Sequence, residues 1–571
     1  MAVSPRQRRA RALLHPATGD PRRRRSPAAG RYPGAPPPRF SGGREGLGRR
    51  RPYVARGRRL RRRRLARHPL RIAPRPPRPP RPPCHPVTGL PDILDALRHA
   101  GLLVRAPEQL PAITGLTADT RKLAPGMLYC AVRGTVQDGH RFVPQAAAAG
   151  AVAALVEEAQ AAPFPQIIVR DGRRAAAIAA ETWYGRPGAK LELVGVTGTN
   201  GKTTSVTLAR HVLSALWPTG AIGTLGAFDP AGAPVESEAG NLTTPGPIDL
   251  QATLAALVAH GARGAAMEVS SHSLDQGRVD GLVFRAAIFT NVTRDHLDYH
   301  RTFEDYFRAK AKLATYLAPQ GLEVVNADDP AWKRLRRDGG HRRVTFGERE
   351  KADVSARNVI ESGSGTRFDL VAPLNRAAVT LPLLGHFNVA NALGVAACAV
   401  GLGLPVEEIA ERLSRAPQVP GRMERIATRP CTVLRDYAHT PDALERALET
   451  VRPLTRGRVI VVFGAGGDRD PGKRAPMGEI AVRLGDIAIA TSDNPRTEAP
   501  ERILDDVEAG MRAKPHHREV DRRKAIALAL QLARADDTIL LAGKGHETYQ
   551  VIGMVKEPFD ERVVLRELGA E

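Results

Sequence analysis

The run Leu193–Val196 is apolar around Gly195 and leads directly into Thr197-Gly198-Thr199-Asn200-Gly201-Lys202-Thr203-Thr204. Beyond it, apolar residues recur at helical spacing through Leu216. A buried strand, a glycine turn and a helix in that order predict an α/β unit built on a parallel sheet. They also aim a ring of backbone N–H groups at an anion. The glycines admit close approach, and the helix N-terminus adds unpaired N–H groups and a favourable dipole. Lys202 has the reach for the β and γ phosphates of a nucleotide, and the Thr203 hydroxyl suits Mg²⁺. Gly198, Thr199, Asn200, Gly201, Lys202, Thr203 and Thr204 are therefore the expected ATP-binding loop. The spacing misses the strict GxxxxGK[ST] pattern, because Val196 occupies the first glycine's place. Motors, transporters, kinases and ligases all share such loops, so the loop alone names no reaction.

The same alternation extends outward. Ala265–Val269, Ala286–Thr290 and Leu322–Asn326 read as further buried strands of a central domain expected over residues 188–421. Thr432–Leu434, Val459–Phe463, Ile487–Thr491 and Thr538–Leu541 read as strands of a third region, 422–571, with helices at Pro441–Val451 and Pro500–Met511. Ahead of both, 88–187 reads as a smaller α/β domain. Its expected helices are Pro91–Leu103, Val143–Ala149 and Arg174–Tyr184, and its strands Met127–Val132 and Gln166–Val169. The fold class is α/β in three domains: a small N-terminal domain, a central parallel-sheet ATPase domain and a C-terminal Rossmann-like domain.

The formal charge of +25 suggests nucleic acid until it is located. Residues 1–85 hold 26 Arg, no Lys and two acids, whereas the remaining residues are balanced to a net of +1. The same stretch holds 17 of the 47 prolines. A chain of that composition cannot bury enough apolar surface to offset its ordering entropy, so a disordered tail is expected over 1–87. It reads as a nucleic-acid-binding arm, a targeting peptide or translated upstream sequence without a selected role, and the last is the expectation. No run reaches the ~18 apolar residues of a membrane span. Cys84, Cys130, Cys398 and Cys431 form no CxxC pair, which suits a reducing compartment and buried thiols. A cytoplasmic monomer with no need of nucleic acid or membrane is expected.

Glu268 lies at the carboxyl end of the strand Ala265–Val269, where open α/β sheets place ligands and where a carboxylate can hold a phosphate-bridging cation. His296 follows the next strand, within Asp295-His296-Leu297-Asp298-Tyr299-His300. With the phosphate loop, these residues point to metal-assisted phosphoryl chemistry.

Here the chain resembles a known family. GTNGKTT, MEVSSHSL, TNVTRDHLDYH, GHFNVANA, PGRMER and DYAHTPDAL occur in the order seen in the Mur ligases, over about 480 residues. The resemblance implies an ATP-dependent, ADP-forming amide ligase of peptidoglycan precursor synthesis, acting through an acyl phosphate. It implies Mg²⁺ held by Thr203, Glu268, His296 and a carbamylated Lys310, although Lys312 lies close in register. It implies nucleotide contacts at Asn388, Arg422 and Asp436. Contacts to a UDP-muramoyl precursor are implied at Thr120, Thr135, Val136, Gln137, Thr243, Thr244, Ser270, Gln276 and Arg278.

Asp493-Asn494-Pro495-Arg496 resembles the members that add meso-diaminopimelate to UDP-N-acetylmuramoyl-L-alanyl-D-glutamate, where lysine-adding members differ at the Arg. Diaminopimelate is lysine with a second carboxylate, and a guanidinium fork binds a carboxylate in two-pronged fashion. Arg469, Gly543 and Glu547 fall at further diaminopimelate contacts by the same resemblance. The alternatives are the same reaction with L-lysine and, from another class, a nucleic-acid-binding ATPase motivated by the basic tail. No general base for the amine is evident beyond His439.

Overall fold

The structure, a computed structural model, describes residues 89–134, 137–236, 242–337 and 340–571. The tail expected over 1–87 lies outside them.

The first sheet has five strands in the spatial order Leu103–Arg105, Gln166–Val169, Ala153–Val156, Met127–Cys130, Gly115–Thr117. All neighbours are parallel except the first pair. The helix Leu90–His99 buries Leu90, Ile93, Leu94 and Leu97, one face at helical spacing, against the alanine-rich face of the helix Gly172–Trp183. Each such leucine contributes roughly 1.5–3 kcal/mol. The helix expected over Pro91–Leu103 stops at His99, because Gly101 turns the backbone to φ +68° and Leu103 already belongs to a strand.

The second sheet has eleven strands, with Glu192–Thr197 near its middle, between Gly264–Glu268 and Phe284–Phe289. Leu317–Asn326 and Arg342–Gly347 continue the parallel set. The helices Lys202–Leu213 and Phe387–Gly401 pack over one face through Val206, Ala209, Val212, Ala392, Val395 and Ala396. The first of these was expected to reach Leu216; it ends three residues earlier, where Ser214 turns its hydroxyl back onto the Arg210 carbonyl (2.7 Å). One edge carries three strands absent from the sequence reading: Val354–Ser362, Gly365–Val371 and Arg376–Leu381, the last two pairings antiparallel. Their outer faces hold exposed Arg357, Asn358 and Arg376, so they lack the continuous apolar run of a buried parallel strand.

The third sheet runs Glu424–Ala427, Thr432–Asp436, Thr538–Ala542, Val459–Phe463, Ile487–Ala490, His517–Arg518. Only the first pair is antiparallel. Register aligns Asp436 with Ala542, Val462 with Leu541, and Phe463 with Ala490. The chain segments leaving these strands therefore emerge at one edge. In the central sheet, Glu268 aligns with Val196 and Phe289 with Thr197, with the same effect. A separate two-stranded hairpin, Tyr549–Ile552 with Val555–Pro558, follows the third sheet.

Cys130, Cys398 and Cys431 are buried free thiols, and burial pushes the first two up to about 12. Cys84 lies outside the described residues. Among the described residues no helix is long and apolar enough to cross a membrane.

Candidate active site

Gly198 and Gly201 sit at φ +151° and +87°. A Cβ on Gly198 would stand 1.9 Å from Thr290 Oγ1, and one on Gly201 would stand 2.2 Å from Asn391 Oδ1. Neither position admits another residue without rebuilding its neighbours. The loop is tied to the adjacent strand end: Thr199 N donates to Asn291 O (2.7 Å), Asn200 N to Asn291 Oδ1 (2.9 Å) and Thr290 Oγ1 to Asn200 O (2.7 Å). Lys202 Nζ folds back to donate to the carbonyls of Gly198 (2.9 Å) and Thr199 (2.8 Å). Burial lowers its pKa, opposed by the Glu268 charge.

Lys310 lies on the helix Phe303–Ala311 and is only 1% exposed. Its Nζ donates to Gly198 O (2.7 Å) and stands 4.4 Å from the centre of the Tyr306 ring. Among the described residues no carboxylate forms an ion pair with it. Burial, then the neighbouring Lys202 charge, holds its pKa well below the ordinary lysine value. Lys312, two residues on, points elsewhere and donates to Leu274 O (2.9 Å).

Glu268 is 1% exposed; its carboxylate accepts from Thr224 N (2.8 Å) and Thr224 Oγ1 (3.2 Å). The next turn gathers the expected precursor residues. Thr244 Oγ1 donates to Glu268 O (2.9 Å) and accepts from Ser270 N (3.1 Å), and Thr243 Oγ1 lies 3.4 Å from Thr224 Oγ1. Arg278 donates to Thr244 O (2.9 Å) and, through Nε and Nη2, to Gln276 Oε1 (3.0 and 2.7 Å). From the first domain, Arg173 reaches the Gln276 carbonyl (3.3 Å). Thr120 starts a short 3₁₀ turn in that domain, and Gln137 is exposed. Among the described residues, no hydrogen bond or ion pair joins them to the central cluster. Thr135 and Val136 lie outside the described residues.

His296, at φ +51°, is half exposed and packs edge-on against His272 with ring centres 4.9 Å apart. His300 completes the group, 3.0 Å from Ser271 Oγ. Burial, then the charges of His296 and His300, pushes His272 down to about 4.

Arg422 joins the central and C-terminal domains. Its Nη2 donates to Thr203 Oγ1 (3.3 Å) and its guanidinium lies 5.0 Å from the Tyr437 ring. Asp436 accepts from Met423 N (2.7 Å), and burial raises its carboxyl pKa against the pull of Arg422. Asn388 is buried and turned inward, donating to Leu384 O (2.8 Å) and accepting from Asn391 Nδ2 (3.0 Å).

At the edge of the third sheet, Lys544 Nζ, fully buried, donates to Asn494 Oδ1 (3.1 Å) and pairs with Glu547 Oε2 (3.2 Å). Asn494 Nδ2 donates to the same Glu547 oxygen (2.8 Å). Asp493 Oδ2 is buried with no hydrogen-bond partner among the described residues. Gly543, at φ +114°, makes room for it: a Cβ there would stand 2.5 Å from that oxygen. Arg496 follows Pro495 and donates from Nη1 to Gly467 O (2.7 Å), while Arg469 is exposed two residues beyond that glycine.

Known proteins match this arrangement along most of its length. Over 462 residues the chain is 46% identical to the UDP-N-acetylmuramoyl-L-alanyl-D-glutamate–2,6-diaminopimelate ligase of Gloeobacter violaceus, covering 80% of this chain and 93% of that one. It is 44% identical over 472 residues to the ligase of the same name from Geobacillus kaustophilus, covering 80% and 94%. The chain belongs to the Mur ligase family.

Three descriptions of that family match in turn: "Mur ligase family, catalytic domain" at residues 112–184, "Mur ligase middle domain" at 196–399 and "Mur ligase, glutamate ligase domain" at 421–545. A solved structure of a UDP-N-acetylmuramoyl-L-alanyl-D-glutamate–2,6-diaminopimelate ligase is 32% identical, with a TM-score of 0.58, covering 81% of this chain and 96% of that one. As in other Mur ligases, the chain is an ATP-dependent ligase with a three-domain α/β fold.

Several residues of this Mur ligase site escaped the sequence reading. Thr224 lies in no quoted motif, and Asn391, inside GHFNVANA, had no role read for it; they reach Glu268 and Gly201 only through the fold. Lys544 lies between Gly543 and Glu547 in sequence, and no role was read for it. The donors suggested for a cation are mostly hard oxygens, the chemistry Mg²⁺ prefers. Among the described residues no three His, Cys, Asp or Glu side chains form a closed metal cluster.

Proposed function

We propose that this enzyme joins meso-diaminopimelate to the D-glutamate of UDP-N-acetylmuramoyl-L-alanyl-D-glutamate, forming an amide at the expense of ATP. Residues 88–187 are assigned to the uridine diphosphate end, 188–421 to ATP and the muramoyl dipeptide, and 422–571 to the incoming amino acid. The assignment of Thr120, Thr135, Val136 and Gln137 to the uridine end rests on the resemblance alone. The observation that carries the amino-acid choice is the pair of opposed chemistries at the third sheet's edge. Asp493 and Glu547 offer carboxylate oxygens to an ammonium, and Arg496 offers a guanidinium to a carboxylate.

In the first step a γ-carboxylate oxygen of the dipeptide attacks the γ-phosphorus, the bond to the β,γ-bridging oxygen breaks, and ADP leaves. Lys202 exchanges its loop carbonyls for phosphate oxygens and offsets charge there. Mg²⁺, held by Thr203, Glu268, His296 and Lys310 as its carbamate, would neutralise phosphate charge. Lys310 is suited to carbamylation because its buried amine is favoured in the neutral form that attacks CO₂. In the second step the amine nitrogen attacks the acyl carbon of the acyl phosphate. The tetrahedral adduct loses phosphate, and the nitrogen gives up a proton. Arg422, touching Thr203 from the C-terminal side, couples the nucleotide to domain closure, which excludes water from the acyl phosphate.

Diaminopimelate-dependent ADP release in the presence of the muramoyl dipeptide tests the proposal. Equal or better turnover with L-lysine would replace it with the lysine reading. A requirement of ATP turnover for nucleic acid would overturn both.

A further inference from the structure

Two glycines shape the turn Gly543–Glu547. Gly543 stands at φ +114° and Gly545 at φ +54°. A Cβ on Gly545 would lie 2.7 Å from the Tyr437 Cβ, so the turn is pressed against the residue that follows the strand Thr432–Asp436. Glu547 N donates to Lys544 O (3.0 Å) and closes the turn. The Lys544 side chain is left inside it, 0% exposed.

A buried ammonium is costly unless its donors find partners. Lys544 Nζ has two, Asn494 Oδ1 (3.1 Å) and Glu547 Oε2 (3.2 Å). Asn494 is oriented from a third side. Its Oδ1 also accepts from Val551 N (2.9 Å), which can only donate, so its Nδ2 faces Glu547 Oε2 and donates to it (2.8 Å). Two donors therefore hold Glu547 Oε2, and among the described residues none holds Oε1. The Glu547 side chain keeps 16% of its surface exposed. Beside Asn494 in the chain, Asp493 Oδ2 is buried with no hydrogen-bond partner among the described residues.

We infer that Lys544 is a positioning residue of the amino-acid site. It holds one oxygen of Glu547, so that the other is presented to the ammonium of the incoming amino acid. It also sets one fixed cation against the two carboxylates, so that a single ligand ammonium meets less excess negative charge. Lys544 itself touches no substrate and acts through Glu547 and Asn494. This rests on the reading of Asp493 and Glu547 as the groups that receive the ammonium end.

The test measures kcat and the KM for meso-diaminopimelate, for ATP and for the muramoyl dipeptide in wild type, Lys544→Met, Lys544→Gln, Glu547→Gln and Lys544→Met/Glu547→Gln. Lys544→Met keeps the length of the stem and removes the charge. It should raise KM for diaminopimelate about tenfold, the scale of one lost charge-assisted hydrogen bond, with kcat and the other two KM values changed less than about twofold. Lys544→Gln, which keeps an N–H donor, should raise it less. In the Glu547→Gln background, Lys544→Met should add no more than about twofold, the non-additivity expected of a residue that works through another. An unchanged KM for diaminopimelate in both Lys544 variants, a parallel rise in all three KM values, or fully additive losses in the double variant would overturn the inference. A Glu547→Gln enzyme with the wild-type KM for diaminopimelate would instead refute the underlying reading of the ammonium end.

Discussion

Lys202 and Lys310, 108 positions apart in the chain, donate to the same carbonyl oxygen, that of Gly198, at 2.9 and 2.7 Å. Two ammonium groups on one buried carbonyl repel each other, and the fully buried one is the one favoured as neutral. Nucleotide binding would draw Lys202 away to phosphate, while carbamylation would turn Lys310 from a cation into an anion. The pair marks where the free enzyme is arranged for a charge it does not itself supply.

Lys310→Ala should lower diaminopimelate-dependent ADP release by roughly 10²–10³-fold, the scale of one lost electrostatic stabiliser. Lys310→Glu, which keeps an anion there, should lose less. Carbon-13 bicarbonate should give a carbamate resonance in wild type that is absent from both variants. Equal activity of wild type and Lys310→Ala would remove Lys310 from the mechanism.

Lys202→Ala should abolish ADP release while leaving the fold intact by circular dichroism, because among the described residues its side chain bonds only to its own loop. Retained turnover would contradict the phosphate role.

Arg496→Ala should raise KM for meso-diaminopimelate by about 10²-fold, the effect of losing a charge-assisted pair of about 1.5–3 kcal/mol, and change lysine use little. Equal losses with the two amino acids would show that this Arg does not read the far carboxylate.

Gly198→Ala and Gly201→Ala should each destabilise the central domain by roughly 1–3 kcal/mol in urea unfolding, since the added methyl meets Thr290 or Asn391 at 1.9 and 2.2 Å. Wild-type stability in either variant would mean that the loop sits differently.

Burial pushes both His272 and His546 down to about 4 from 6.5. Below 6.5 the unfolded chain binds protons that the folded one refuses, so stability should fall as pH drops from about 6.5 towards about 4. Both rings retain solvent contact, so the loss should be about 2 kcal/mol for the two together near pH 5, read from urea unfolding at pH 7.5 and 5. Replacing both with Gln should flatten that part of the profile; an unchanged slope would place its origin elsewhere.

Local chemistry in the sequence determined much of this protein. An apolar run, two glycines and a helical period set the phosphate loop. Prolines at the first turns of Pro441–Leu454 and Pro500–Glu508 started those helices where they were read. The fully buried parallel strands, such as Val459–Phe463, were legible because both faces are apolar. The antiparallel edge Val354–Leu381 was not, because half of its side chains face water. Nor could the sequence alone tell that Lys310 is buried while Lys312 turns away, or that Lys544 is part of a buried network. Those outcomes depend on which helix face meets which loop, and on parallel register that brings Asp436, Phe463, Ala490 and Ala542 to one edge. Charge and hydropathy along a chain report only neighbours in sequence. The meeting of Lys202 with Lys310 on Gly198, and of Lys544 with Asn494, is made by residues that only the packed sheets bring within hydrogen-bond reach.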